Sequence, residues 1–200
     1  MLNKILKLRN RDANISDKKN YIKSSVLIPI LENNNSLSLL FEVRSENLKK
    51  QPNEICFPGG GIEKEESPLD TAIREASEEL CLPPKTIDVI GASDTLIAPF
   101  NNIIYAFIGI LKDYKGAFNE EVKEVFPVPI SYFLSHEPLC HYINVNMQPK
   151  KDFPFYMIQN GKDYRWSQGK YPVYFYTYEN RIIWGITARI IHDFVSLIEN

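Results

Sequence analysis

Cysteine is scarce in this chain, three residues among 200. Cys56, Cys81 and Cys140 form neither the close pairs that zinc sites favour nor an even-numbered disulfide framework, so a reducing, cytoplasmic setting is the expectation. Histidine is equally sparse. His136, His141 and His192 stand apart without metal spacing, which points to structural or solvent-facing roles. No apolar run approaches the length of a bilayer span. Met1 to Asn10 alternates Leu and Ile with Lys and Arg too finely to form the apolar centre of a signal peptide, and Ile198-Glu199-Asn200 is not a peroxisomal address. A surplus of one charge is missing too: 23 basic and 25 acidic residues leave a formal net charge of -2. That balance excludes the broad positive field with which proteins hold DNA or RNA, so phosphate recognition must be local.

What is present suits one domain built on a sheet, since 44% of residues are hydrophobic and 12% aromatic. Ser25 to Leu31 and Leu37 to Val43 read as strands joined by a turn at Asn33-Asn34-Asn35. Pro58-Gly59-Gly60-Gly61 reads as a loop whose glycines permit conformations closed to other residues. Ile87 to Leu96, Ile103 to Leu111, Leu139 to Val145 and Val173 to Tyr178 read as further strands. A short helix is expected over Pro129 to Leu134 and an amphipathic one over Ile186 to Ile198. Strands alternating with a few helices give an α/β (α+β) fold, a mixed sheet flanked by helices. The aromatic series Phe153, Phe155, Tyr156, Tyr164, Trp166, Tyr171, Tyr174, Phe175, Tyr176 and Tyr178 reads mostly as core and sheet surface. The cysteines read as buried packing residues.

The clearest element begins at Ser67, a capping residue, followed by Pro68 at the first helical position and Asp70 where the helix dipole favours an acid. Leu69, Ala72, Ile73, Ala76 and Leu80 form one apolar stripe, and Pro83-Pro84 prevents continuation. Glu75, Glu78 and Glu79 lie at spacings of three and four, on one face beside that stripe. Three such glutamates ordinarily form a solvated acidic face. Here like charges would repel by roughly 0.2–0.5 kcal/mol per pair, and a cation would reverse the penalty. Hard divalent ions bind through a few carboxylates together with substrate phosphates.

The context is specific. Gly60 is followed six residues later by Glu66 and eight after that by Arg74, and Arg74-Glu75-Ala76-Ser77-Glu78-Glu79 continues without a break. Gly60 to Leu82 thereby resembles the Nudix box, in which a glycine, a glutamate, an Arg-Glu pair and a Glu-Glu pair stand at these separations. One position departs, with Cys81 where the family has a glycine near the helix end. The resemblance implies a Nudix-type α/β/α sandwich over residues 24–200, with 1–23 as an N-terminal arm or short helix. It implies Mg²⁺ or Mn²⁺ held by Glu78 and Glu79, with the Gly59 carbonyl completing the shell. Glu75 would bind metal or act as general base, oriented by Arg74 with Glu66 as its partner. A further acid comes from a distant loop in such proteins; Asn119 to Val122, leading into Val125 to Pro129, resembles that segment and makes Glu121 the candidate, with Glu120 and Glu124 as alternatives.

Upstream, Leu40 to Ser45, Lys49, Asn53 and Phe57-Pro58-Gly59-Gly60 resemble the added signature of Nudix coenzyme A diphosphatases. Lys49 stands there for arginine, Asn53 for glycine and Glu42 for threonine. Ile183-Trp184-Gly185-Ile186-Thr187-Ala188 is similar to a segment leading into the last helix of that subfamily. This implies cleavage of coenzyme A or an acyl derivative to 3′,5′-ADP and 4′-phosphopantetheine. Arg44, Lys49 and Lys50 could meet the extra phosphate, and Gly60 and Gly61 the diphosphate. Expected alternatives are ADP-ribose or NADH as substrate, or a nucleotide-sensing module without catalysis. The expected partner is thus a small molecule, with no nucleic acid and no membrane, and a homodimer is possible among such proteins.

Overall fold

The structure, a computed structural model, describes residues 1–11, 13–33 and 36–199. The Val- and Ile-rich stretch forms β1 (Ile22–Asn33), which returns as β2 (Ser36–Arg44) in antiparallel register from Ile30 opposite Leu39 to Asn33 opposite Ser36. Of the expected turn, Asn34 and Asn35 lie outside the described residues. Ahead of this hairpin, a short helix, α1 (Leu2–Leu6), occupies the arm.

Beyond it come β3 (Ile55–Cys56), β4 (Gly59–Gly61), α2 (Pro68–Glu79), β5 (Ile87–Ala92), β6 (Leu96–Ala98), β7 (Asn102–Leu111), β8 (Val122–Pro129), α3 (Ile130–Ser135), β9 (Leu139–Asn146), β10 (Gln168–Tyr178), β11 (Arg181–Trp184) and α4 (Gly185–Glu199). Eight strands form one mixed sheet whose central path runs β3-β2-β1-β7-β5. β1 and β7 are parallel, from Ile22 opposite Asn102 to Ile30 opposite Ile110. β9, β10 and β11 make a separate antiparallel sheet.

Adjacent residues of a strand point to opposite faces, and two apolar clusters follow from that rule. Leu27 and Leu40 face α2 and meet Ala76 and Leu80. Their neighbours Ile28 and Phe41 face the other way and join Phe133 of α3, Ile191 and Phe194 of α4, and Ile183 of the small sheet. The result is a helix layer on each side of a mixed sheet, the layering expected from sequence. Each large side chain buried this way contributes about 1.5–3 kcal/mol, and Phe41 also stacks on Phe57 at 4.9 Å.

Three expectations need correction. The single strand over Ile87 to Leu96 is broken: β5 ends at Ala92, its register shifts between Val89 and Gly91, and β6 begins at Leu96. A bulge of this kind bends and ends pairing. The glycine run is a strand, not a loop, because β4 pairs with β1. The cysteines are not buried packing residues, since Cys81 and Cys140 are exposed and Cys56 is only partly covered. By contrast His136 and His192 do serve packing, stacked on Tyr132 at 4.4 Å and on Tyr174 at 4.5 Å.

Candidate active site

α2 is fixed at both ends. Ser67 Oγ accepts the Asp70 N–H at 3.2 Å and donates to Asp70 Oδ2 at 2.6 Å. At the other end the Leu82 N–H bonds the Ser77 carbonyl at 3.0 Å and the Cys81 N–H bonds that of Glu78 at 3.4 Å. This is the paired closure that requires a left-handed residue after the helix. Cys81 supplies it with φ 47°, so the turn is kept although glycine is absent. Asn53 behaves likewise, adopting φ 61° where the signature has glycine; asparagine tolerates that region better than most residues.

Arg74 gathers the acids around it. Its Nε and Nη2 reach Glu66 Oε1 and Oε2 at 2.9 and 3.1 Å, Nη2 lies 3.0 Å from Glu75 Oε1, and Nη1 lies 3.2 Å from Glu78 Oε2. The Thr71 hydroxyl donates to Glu66 Oε2 at 2.7 Å. Hydrogen bonds from Arg74 and then Thr71 hold the Glu66 carboxyl down, from 4.5 to about 2. Glu66 therefore stays ionised and anchors the guanidinium. Burial pushes the Glu75 carboxyl up, against the opposing pull of Arg74.

Two of the three glycines of β4 stand where a side chain would not fit. None of Gly59, Gly60 and Gly61 has a positive φ, so conformational freedom is not the reason. A Cβ on Gly60 would collide with the Glu75 carboxylate, and one on Gly59 with the backbone of Ser25 and Val26. Leu27 N–H to Pro58 O at 2.9 Å and Ile62 N–H to Lys23 O at 3.0 Å bracket the pairing. Alternation in an antiparallel ladder then turns both polar groups of Gly59 away from β1. Its N–H donates to Glu79 Oε2 at 2.8 Å, and its carbonyl opens toward the same side.

Glu79 is buried, at 3% exposure, and so is Glu42 on β2, at 1%. Glu42 shares the sheet face of Leu40 and therefore of α2. Its Oε1 accepts the Cys56 thiol at 3.2 Å, while Oε2 has no hydrogen-bond partner. Burial drives the carboxyls of Glu79 and Glu42 upward; the Glu42 charge raises Glu79 further, while the Cys56 thiol and Arg44 pull Glu42 part of the way back. The Glu121 charge also reaches Glu42 and Glu75. Glu121 precedes β8, its carbonyl accepting the Ser45 N–H at 2.8 Å, and the Asn119 N–H bonds Glu79 O at 2.9 Å. The distant loop is thereby tied to the last turn of α2. Glu124, by contrast, is engaged by Arg181.

On the far side of β4 a groove of about 640 Å³ is lined by Gly59, Gly60 and Gly61 together with Lys23, Arg44 and Lys50. Trp184 and Thr187 border it as well. Lys49 is exposed and is not among the lining residues. The expected aromatic series does not line it either; Phe57 and Trp184 are the aromatics that do. Trp184 is 48% exposed and lies parallel to Phe175 at 6.0 Å.

Among the described residues no three His, Cys, Asp or Glu side chains converge at metal-ligating range. Arg74 holds Glu75 and Glu78, and Gly59 holds Glu79. The donors nevertheless fit a hard divalent cation: all are oxygens, Glu42 leaves one buried oxygen unpaired, and the crowded carboxyls would be favoured as anions by a cation among them. Glu42 and Trp184 are functional candidates that the sequence reading did not select. Glu42 had a signal, because it repeats the core-facing parity of Leu40 in a strand.

A family model described as the NUDIX domain matches residues 22–138. The chain is 35% identical over 157 residues to peroxisomal coenzyme A diphosphatase of Mus musculus, covering 74% of this chain and 64% of that protein. It is 30% identical to the Nudix hydrolase NudL of Photorhabdus laumondii, covering 88% of this chain and 84% of the relative. The structure resembles a MutT/nudix family protein from Enterococcus faecalis with TM-score 0.53 at 12% identity, over 100% of this chain and 70% of that one.

Proposed function

We propose, from the premise that this chain belongs to the Nudix family and is a Nudix diphosphatase, that it hydrolyses coenzyme A or acyl-coenzyme A within the diphosphate, releasing 3′,5′-ADP and 4′-phosphopantetheine or its acyl form. One observation carries this reading. The two stretches that resemble the coenzyme A diphosphatase subfamily, around Arg44 to Gly60 and around Trp184 to Thr187, are far apart in sequence yet line one groove. The similarity to the mouse enzyme supports the same substrate.

Within that reading Glu75, Glu78, Glu79 and the Gly59 carbonyl hold Mg²⁺ or Mn²⁺, which would neutralise phosphate oxygens and acidify bound water. Arg74, anchored by Glu66, sets the direction of the Glu75 carboxylate, and Glu75 takes the proton of the attacking water. Glu121 adds a carboxylate from the loop fastened to α2. Arg44 and Lys50 provide cationic contacts for the 3′-phosphate, and Gly60 and Gly61 let the diphosphate approach the strand backbone. Lys49 stands outside the groove and contributes at most to the surrounding field. Among the described residues no helix is long and apolar enough to cross a membrane; a cytoplasmic location and a homodimer belong to the same proposal.

The test is turnover of the purified protein with Mg²⁺ or Mn²⁺ on coenzyme A, ADP-ribose and NADH, with the products identified. Coenzyme A should be cut to the two named products. Efficient cleavage of ADP-ribose with coenzyme A untouched would overturn the reading.

A further inference from the structure

Glu42 occupies the middle of a buried strand, where an ionisable side chain is costly unless something compensates it. It stands at 1% exposure on β2, opposite Cys56 of β3 and Val125 of β8. Its side chain points to the face that carries α2, as does that of Leu40 two residues earlier. The Cys56 thiol satisfies Oε1 at 3.2 Å, a weak donor to a carboxylate, and Oε2 has none. Glu79, on the last turn of α2 and also buried, stands near enough for the Glu42 charge to act on it and has the Gly59 N–H on one of its oxygens. Arg44 attracts Glu42 at longer range, but its Nε is itself a buried atom without a partner, so among the described residues no ion pair neutralises Glu42.

Two buried carboxylates from different elements, one with an unpaired oxygen and the other held by the Gly59 N–H, are the beginnings of an oxygen-lined cation site. We propose that Glu42 is a fourth carboxylate of the divalent-cation site, acting from the sheet opposite Glu79 as a ligand or as the group that holds the innermost ion against α2. This rests on the metal dependence of the proposed function. It adds a residue at which the chain departs from the subfamily signature, where threonine would leave the sheet side of the site uncharged. The consequence is a larger negative charge at the inner end of the site than the box alone supplies, and hence tighter binding of the inner ion.

Mn²⁺ binding without substrate, followed by the paramagnetic signal of the free ion, tests this in wild type, Glu42→Gln and Glu42→Thr. Each variant should bind the inner ion about tenfold or more weakly, the range expected when a group supporting a metal site is lost. In EDTA both variants should melt at or above the wild-type temperature, because a buried unpaired carboxyl has been removed, and they should gain less on adding Mn²⁺. A carboxyl-carbon resonance of Glu42 in the wild-type protein should shift on titration with Mg²⁺, which needs no variant. Unchanged Mn²⁺ affinity in folded variants, or an unmoved Glu42 resonance while Mg²⁺ binds, overturns the inference and leaves the metal-dependent reading standing. Failure of the wild-type protein to bind Mn²⁺ overturns both.

Discussion

Gly60 and Glu75 meet across the gap between β4 and α2 so closely that a single methyl group on the glycine would occupy the space of the carboxylate. Under the proposed function, the pair would link the backbone that receives phosphate to the acid that receives a proton. Gly60→Ala should therefore displace the Glu75 carboxylate while the rest of the sheet stays in register. An error of about 1 Å at a reacting group costs roughly a hundredfold in rate, so kcat should fall by about that factor. Gly91→Ala, at a site with nothing within 4 Å, is the control and should retain full turnover. Equal rates in the two variants would separate Glu75 from the chemistry.

Glu66 should leave a signature in acid. Its folded carboxyl titrates near 2 against an ordinary 4.5, so the folded state releases the proton more readily than the unfolded one. Its contribution is then complete above pH 4.5 and is lost as pH falls from 4.5 toward 2. Melting curves of wild type and Glu66→Gln should be offset by a constant amount above that window and converge within it. Curves that stay parallel through the window would mean that the ion pair with Arg74 does not persist in solution.

Cys81 carries the left-handed turn that ends α2 with a side chain ill suited to it. Left-handed backbone costs an ordinary residue roughly 1–2 kcal/mol, part of which glycine gives back as unfolded-state entropy. Cys81→Gly should raise stability by about 1 kcal/mol in urea unfolding. Cys81→Ala keeps the Cβ in the same left-handed conformation and should bring no such gain, which distinguishes backbone conformation from the loss of a thiol.

Lys50 lines the groove and Lys49 does not, so the two should differ toward the 3′-phosphate. A lost charged contact of this kind is worth about tenfold in kcat/KM. Lys50→Ala should show that loss on coenzyme A and little on dephospho-coenzyme A, with kcat nearly unchanged. Lys49→Ala should treat the two substrates alike. An equal loss on both substrates for Lys50→Ala would place its ammonium away from the extra phosphate.

Much of this was legible in the residues because the signals were local. Ser67, Pro68 and the Ala72–Ala76–Leu80 stripe define α2 within one continuous segment, and the Gly60 to Glu79 spacing placed the acids on it. β8 was legible only as a segment following Glu121, since Pro127 and Pro129 weaken a strand reading; it has β2 as its partner, and prolines suit an edge. The glycine run misled for a related reason. Its glycines answer to Glu75, Ser25 and Val26, neighbours supplied by other elements, and no local pattern announces a steric demand from across a gap. Glu42 was visible as a departure from a signature, but its meeting with Glu79 depends on α2 docking over β2. Trp184 joined the groove through the register of β10 and β11, which periodicity does not encode.

The parallel pairing of β1 with β7 carries a kinetic consequence. Ser25 and Tyr105 lie opposite each other although 80 residues separate them, and a long loop must be closed before that contact stabilises anything. The glutamate helix is therefore synthesised well before its platform is complete. As the nascent polypeptide leaves the ribosome, α2 must wait for β7 to emerge, and refolding should be paced by that late closure rather than by formation of the helix.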